Sequence, residues 1–157
     1  MILSTIVFLP LVGAILVLLA GGRGDNPARE GTVRLVALAV SVATFLATLY
    51  LWWVFDPASA DFQFVERYAW LPQFGITYHL GLAGISLFMI LLTGFLTPLA
   101  LLSSWAGVHK SVKLFSFFML ALETAMLGVF VSLDLFLFYL FWDAMLIPMY
   151  FLIGIWG

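Results

Sequence analysis

Residues 114–157 decide the fold, and they read LFSFFMLALETAMLGVFVSLDLFLFYLFWDAMLIPMYFLIGIWG. Two long apolar runs meet in this stretch at Ser132–Asp134, and each run carries one carboxylate near its middle. These carboxylates are Glu123 in the first run and Asp143 in the second. A charge at the centre of a membrane-spanning helix costs about 2.5–3.5 kcal/mol on insertion scales. Two acids at matching positions therefore indicate a functional role.

The composition is that of an integral membrane protein. Of the 157 residues, 65% are hydrophobic and 9% are charged, and the mean hydropathy is +1.20. A soluble domain has about a quarter of its residues charged, so this chain has too few polar residues to cover a water-exposed globule. It contains no cysteine, and His79 and His109 lie in connections without partners at metal-binding spacing. We therefore predict no protein-bound metal.

Five segments are long enough to cross a hydrocarbon core of about 30 Å, which takes about 20 helical residues. They are continuous apolar runs and lack the strict alternation of membrane barrel strands. The sequence thus predicts an all-α integral membrane protein with about five transmembrane helices, at Ile2–Ala20, Val33–Phe55, Leu82–Trp105, Leu114–Leu133 and Leu135–Trp156.

The connection at about residues 56–81 differs from the other connections in length and in aromatic content. It alternates briefly between apolar and polar residues from Phe62, and it carries Tyr68, Trp70 and Tyr78. Tyrosine and tryptophan favour the boundary between membrane and water. We predict an interfacial segment whose aromatic side chains lie at headgroup level, with a short hairpin as one possible arrangement.

The basic residues predict the orientation of the chain. The segment 56–81 has only Arg67, together with more acidic than basic residues. By the positive-inside rule, the opposite side of the membrane is cytoplasmic and the N-terminus lies outside. The five basic residues on that cytoplasmic side, in or beside the first and third connections, are Arg23, Arg29, Arg34, Lys110 and Lys113.

Glu123 and Asp143 are predicted to share a depth in the membrane. Counted at 1.5 Å per residue from Asp134, they lie about 16 Å and about 14 Å deep, and half the hydrocarbon core is about 15 Å. They could be neighbours on consecutive antiparallel helices, subject to the rotation of each helix. Intramembrane acids that water reaches typically act as proton relays. The alternative is that both are neutral and serve only as interhelical hydrogen-bonding groups.

Two residues are predicted to act on Asp143. Tyr139 lies one turn before it and is a candidate hydrogen-bond donor. Pro148 removes the backbone hydrogen bond to the carbonyl of Ala144, so we predict a kink that opens space beside the acid.

Three further residues have predicted local roles. Thr124 is a candidate hydroxyl partner for Glu123, and Asp134 is the predicted N-cap of the fifth helix. Pro98, inside the third span, is compatible either with simple tolerance or with a kink. There is no Ser/His/Asp grouping, no glycine-rich loop that opens a helix and no basic patch, so nucleophilic catalysis, phosphate binding and nucleic-acid binding have no support.

The stretch FYLFWDAMLIPMYFLIGIWG (Phe138–Gly157) resembles the antiporter-like, proton-pumping subunits of respiratory complex I, of the subunit M type. It follows that family's pattern of an aromatic residue, FWE or FFE, then LIPM and a closing WG. The resemblance covers the whole chain, and the other matching stretches are Phe8–Pro10, Phe62–Pro72, Gly84–Trp105 and Glu123–Phe130.

The resemblance implies the N-terminal part of an antiporter-like inverted-repeat fold, in a family whose members are longer than this chain. Residues 1–111 would be three leading transmembrane helices with the interfacial segment, and residues 112–157 the first two helices of the first repeat. The implied function is proton translocation coupled to quinone reduction, in a subunit without redox chemistry. NADH, FMN, iron–sulfur clusters and quinone would belong to the rest of the complex. The partners would be other antiporter-like subunits, small membrane subunits and the lipid of a bacterial cytoplasmic membrane.

The resemblance also assigns roles to residues. Asp143 stands at the glutamate of FWE, which in the family pairs with a lysine on a later helix, and Glu123 would be a second proton-carrying acid. That lysine has no expected counterpart, because all six basic residues are predicted to lie outside the spans. Asp143 is one methylene shorter than glutamate, and Ala83 replaces the aspartate of a GxDGIS motif. Two alternatives stay open: a subunit of an Mrp-type sodium/proton antiporter or membrane-bound hydrogenase, or a structural subunit that no longer pumps.

Overall fold

Five helices and one hairpin make up the fold in a computed structural model of the chain. The structure describes residues 2–20, 30–55, 63–71, 76–82, 84–103, 112–133 and 135–156. The elements are α1 (Ile2–Ala20), α2 (Glu30–Val54), β1 (Gln63–Leu71), β2 (Ile76–Leu82), α3 (Gly84–Ser103), α4 (Val112–Val131) and α5 (Leu135–Trp156).

The predicted helical membrane fold is confirmed. Four helices, α2 to α5, are long and apolar enough to cross a membrane, and α1 is a shorter apolar helix within which Leu3–Leu19 qualifies. Every helix ends close to its predicted boundary, and α5 has the predicted bounds. Long apolar runs predict helices well because lipid leaves the backbone no other way to pair its own N–H and C=O groups.

Helix α4 is the centre of the bundle, since it packs against α1, α2, α3 and α5. One apolar cluster lies at the hairpin end of the bundle and includes Leu3, Leu87 and Leu127. A second cluster lies toward the opposite end and includes Val17 and Leu120. Together these clusters fix α4 along most of its length.

Two glycines allow close helix approach. A Cβ atom added at Gly13 of α1 would overlap the side chain of Val40 on α2, and one added at Gly128 of α4 would overlap the ring of Phe141 on α5. The Phe141 ring also lies 6.3 Å, centroid to centroid, from that of Phe8 on α1. Small residues at such crossings let helices pack tightly in a membrane, where association depends on close contact.

The connection between α2 and α3 contains an antiparallel hairpin, so the hairpin arrangement is the correct one. Leu80 of β2 is fully buried against the apolar cluster at this end of the bundle. The Leu133 N–H, after α4, donates to the His79 carbonyl at 2.8 Å. The hairpin is therefore packed onto the bundle and joined to the turn between α4 and α5. Tyr78 is half-buried, whereas the side chains of Tyr68 and Trp70 lie outside the described part of the chain.

Three helices contain an internal proline, one more than the sequence reading singled out: Pro10 in α1, Pro98 in α3 and Pro148 in α5. All three side chains are buried. α5 remains helical from Pro148 to Trp156, and the kink predicted beside Asp143 stays a prediction.

The prediction that every basic residue lies outside the spans is wrong for two of them. Arg34 lies in the second turn of α2, which begins at Glu30, and Lys113 lies in the first turn of α4. Both are at helix ends, where a long cationic side chain can reach water. Several residues with predicted roles lie outside the described part of the chain: Arg23, Arg29, Ala83, His109, Lys110 and Asp134.

Candidate functional site

Glu123 lies in the middle of α4, and its side chain is 1% exposed. Neither of its carboxyl oxygens has a hydrogen-bond partner among the described residues, and the buried hydroxyl of Thr124 has none either. The predicted bond between these two side chains is therefore not formed. A buried polar group without a partner costs about 1–3 kcal/mol, so Glu123 is retained against its effect on stability.

A cavity of about 150 Å³ between α3 and α4 adjoins Glu123. Two threonines of α3, Thr93 and Thr97, line the same cavity. The Thr97 hydroxyl donates to the Thr93 carbonyl at 3.0 Å, and the Thr93 hydroxyl donates to the Met89 carbonyl at 2.9 Å. Both hydroxyl protons are thus committed to the backbone of α3, and the hydroxyl oxygens can act toward Glu123 only as acceptors.

Glu123 points away from α5. The two α4 residues that contact α5 are Gly128, against Phe141, and Phe118, whose ring stacks on that of Phe151 at 5.1 Å. They lie five residues on either side of Glu123, which at 3.6 residues per turn corresponds to about 140° in each direction. The α5-facing side of α4 is therefore opposite Glu123.

The same contacts set the relative depth of the two acids. With Gly128 level with Phe141 and Phe118 level with Phe151, the antiparallel register brings Asp143 level with Met126. Met126 is three residues, or about 4.5 Å, along α4 from Glu123. The acids thus lie at similar depth, but the body of α4 separates them, and they do not face each other.

Asp143 has a different environment. Its side chain is half-buried, and it points about 160° from Phe141 and about 80° from Phe151, the two α5 residues that contact α4. Tyr139 is 59% exposed, and no hydrogen bond joins it to Asp143 within the described part of α5. Asp143 therefore lies on a side of α5 that the described helices leave largely uncovered.

Sequence reasoning did not single out a second buried acid, Glu66 of β1, which is 4% exposed. It accepts hydrogen bonds from the Ser4 backbone N–H at 3.0 Å and the Ser4 hydroxyl at 2.6 Å. The Ser4 hydroxyl also lies 2.7 Å from the hydroxyl of Tyr78. The N–H groups in the first turn of a helix have no partner within it, so Glu66 caps α1 from a distant segment. No local pattern links residues so far apart, and the sequence carries no signal for this contact.

The surroundings of Glu66 decide its charge. Burial alone would raise the pKa of this carboxyl, but the hydrogen bonds from the Ser4 hydroxyl and backbone N–H stabilise the charged form and lower its pKa below the ordinary value of 4.5. The negative charge at the start of α1 also interacts favourably with the helix dipole. Glu66 is thus a structural carboxylate at neutral pH.

Within the described ranges, no three His, Asp or Glu side chains converge in a way that could hold a metal ion. The hydrogen-bonding groups around Glu123 and Asp143 instead fit the binding and release of protons. Neither acid adjoins a nucleophile or a basic cluster that would suggest bond-breaking chemistry.

Comparison with known proteins identifies the family, although no family model matches the chain. The chain is 49% identical over 156 residues to NADH-quinone oxidoreductase subunit M of Rhodobacter capsulatus and 42% identical over 155 residues to NADH-ubiquinone oxidoreductase chain 4 of Arabidopsis thaliana. Each match covers 99% of this chain and 30% of the relative.

A solved structure agrees with this relationship. The whole chain superposes with a TM-score of 0.78, at 27% identity, on 29% of a chain of respiratory complex I from Thermus thermophilus, determined with bound NADH. The chain thus spans about 30% of the length of the curated relatives it matches. Over that span, this apolar helical chain belongs to the subunit M (chain 4) family of the NADH-quinone oxidoreductases.

Proposed function

We propose that this chain forms part of the membrane arm of a proton-translocating NADH:quinone oxidoreductase and that Glu123 and Asp143 carry protons in it. The observation that carries the proposal is Glu123, which is 1% exposed and without a hydrogen-bond partner among the described residues, in the middle of a membrane helix. An acid kept in such a place lowers stability, and proton transfer is the role that intramembrane acids typically serve.

The two acids have different parts in this proposal. Glu123 exchanges protons inside the bundle, on the α3 side of α4. Asp143 forms a charge pair with a lysine supplied from outside these 157 residues, as its match to the FWE glutamate implies. The half-open side of α5 is compatible with such a partner, since Asp143 is only half-buried. Residues 1–111 serve as the three leading helices, and 112–157 as the first two helices of an antiporter-like repeat.

The chain itself carries out no redox step in this proposal. It contains no cysteine to hold an iron–sulfur cluster. NADH, FMN, iron–sulfur clusters and quinone belong to other subunits, and the direct partners are antiporter-like and small membrane subunits. The chain lies in a bacterial cytoplasmic membrane with the hairpin and the start of α1 on the outer side, because five of its six basic residues fall toward the other side.

The test replaces Asp143 in the assembled enzyme. Membrane vesicles carrying Asp143→Asn, which keeps the side-chain size and loses the charge, are assayed for proton uptake per quinone reduced. We expect uptake to fall about tenfold or more, since each 1.36 kcal/mol of lost stabilisation is tenfold in rate. Asp143→Glu restores the family's longer side chain, and we expect it to retain or raise uptake.

The matched control is Tyr150→Phe, which removes a polar atom from a side chain of α5 that is 72% exposed and which we expect to leave uptake unchanged. Unchanged uptake in the Asp143→Asn vesicles would rule out a relay role for this acid. If Glu123→Gln and Asp143→Asn together leave both assembly and proton stoichiometry intact, the chain is a structural subunit.

A further inference from the structure

The cavity beside Glu123 is the only route from this acid that the described residues leave polar and open. It lies along α3 and α4, from Thr93 and Met126 at one end to Ala100 and Met119 at the other. Its long direction therefore leads from the level of Glu123 toward the ends of α3 and α4 at Ser103 and Val112, away from the hairpin. The α5 side of α4, in contrast, is closed by Phe118 and Gly128 packing on aromatic rings.

The hydrogen-bonding groups in the cavity do not match each other directly. Glu123 has two oxygens without partners, whereas Thr97 and Thr93 have already donated their hydroxyl protons to the α3 backbone. The threonine oxygens can accept from a neutral carboxyl, but they have no proton to give to a carboxylate. A water molecule has two donors and two acceptors, so it can hydrogen-bond both partners in either protonation state of Glu123.

The cavity is also large enough for water. At about 30 Å³ per molecule, 150 Å³ accommodates about five waters. Buried waters need two to four polar partners, and the carboxyl and the two threonine oxygens supply them at the α3–α4 contact.

We propose that the α3/α4 cavity is a water-binding site through which Glu123 exchanges its proton along α3, and that Thr97 is the residue that positions this water. Glu123 gives its proton to the adjacent water oxygen, which passes one of its own protons to the next water, and the carboxylate takes a proton back by the reverse steps. This inference deepens the proposed function by giving Glu123 a path that does not run through Asp143.

The test follows hydrogen–deuterium exchange of the Glu123 carboxyl by infrared spectroscopy, with the full chain in native membranes and the band assigned by its loss in Glu123→Gln. Thr97→Val removes the hydroxyl at constant shape, and Ala100→Leu fills the cavity from α3. We expect each to slow the exchange about tenfold, which corresponds to one lost hydrogen bond of about 1.4 kcal/mol. Thr97→Ser should restore the original rate.

The matched control is Thr44→Val on α2. Thr44 is fully buried and its hydroxyl donates to the Val40 carbonyl at 2.9 Å, the arrangement of Thr97, but it does not line the cavity. Its exchange rate should equal that of the unmodified chain. Exchange that is equally fast in Thr97→Val and Ala100→Leu would overturn the water site.

The readout separates this inference from the proposed function, because hydrogen–deuterium exchange requires no pumping. Slowed exchange together with normal proton uptake would keep the water site and reject Glu123 as a relay. Unchanged exchange together with impaired uptake in Glu123→Gln would keep the relay and reject the α3/α4 route.

Discussion

Helices α4 and α5 are consecutive, antiparallel and similarly apolar, but they differ in how much of their surface the rest of the chain covers. Within their apolar stretches, 44% of α4 is buried compared with 17% of α5. Each carries one acid at nearly the same depth. Glu123 is enclosed by packing that this chain supplies, whereas Asp143 lies on a side of α5 that the described helices largely leave open.

The difference shows that depth and surroundings are independent properties of a membrane acid. Depth follows from the position along the helix, and here it is nearly equal for the two residues. Surroundings follow from helix rotation, which directs Glu123 toward α3 and Asp143 away from α4. An acid whose environment is complete can be studied in this chain alone, while an acid on an uncovered surface needs its partner present.

The largest expected effect breaks the contact between the two helices. Gly128→Ala introduces a Cβ that would overlap the Phe141 ring, which is held between α4 and Phe8 of α1. Overpacking of this kind costs about 1–3 kcal/mol, so we expect a lower free energy of unfolding in mixed micelles.

Gly154→Ala on the same helix pair is the control for the Gly128 prediction, because nothing lies within 4 Å of a Cβ at that position. It should leave the free energy of unfolding almost unchanged. Adding Phe141→Leu to Gly128→Ala should recover part of the loss by making room for the methyl group. Equal stability of the two glycine variants would mean that α4 and α5 do not pack as described.

A smaller effect sharpens the comparison between the acids. Glu123→Leu removes a buried group without partners, so we expect it to raise the free energy of unfolding of the chain in mixed micelles by about 1–2 kcal/mol. Asp143→Leu alters a half-buried position and should change it by less than about 0.5 kcal/mol. A loss of stability in Glu123→Leu would show that this acid has a hydrogen-bond partner after all.

The smallest effect concerns the hairpin that joins the turn between the two helices. The pKa of Glu66 is lowered in the folded chain, so its stabilisation is present above the ordinary pKa of 4.5 and is lost as the pH falls through the lowered value. We expect Ser4→Ala, which removes one of these hydrogen bonds, to lower the free energy of unfolding by about 1 kcal/mol at neutral pH and by less in acid. Ser103→Ala, at an exposed hydroxyl that donates to the Ala100 carbonyl, should show no such pH dependence.

Much of the fold could be predicted because it depends on local properties of the chain. Apolar run length predicts the helices, and counting along them predicts the shared depth of Glu123 and Asp143. Rotation could not be predicted, because it depends on which side chains interlock, such as Gly128 with Phe141. Thr97 escaped notice for the same reason, since its proximity to Glu123 arises from packing between α3 and α4. Glu66 looked like one more charge in a connection, and only its distant contact with Ser4 shows otherwise.

The contact between Ser4 and Glu66 joins residues 62 positions apart, with the whole of α2 between them. During synthesis, the first turn of α1 therefore leaves the ribosome long before the carboxylate that caps it. Until β1 has been made, the Ser4 N–H has only water to bond, and this end of α1 has to remain at the membrane surface. The hairpin thus acts during biogenesis as a late fastener, which secures the first helix only after the second has been inserted.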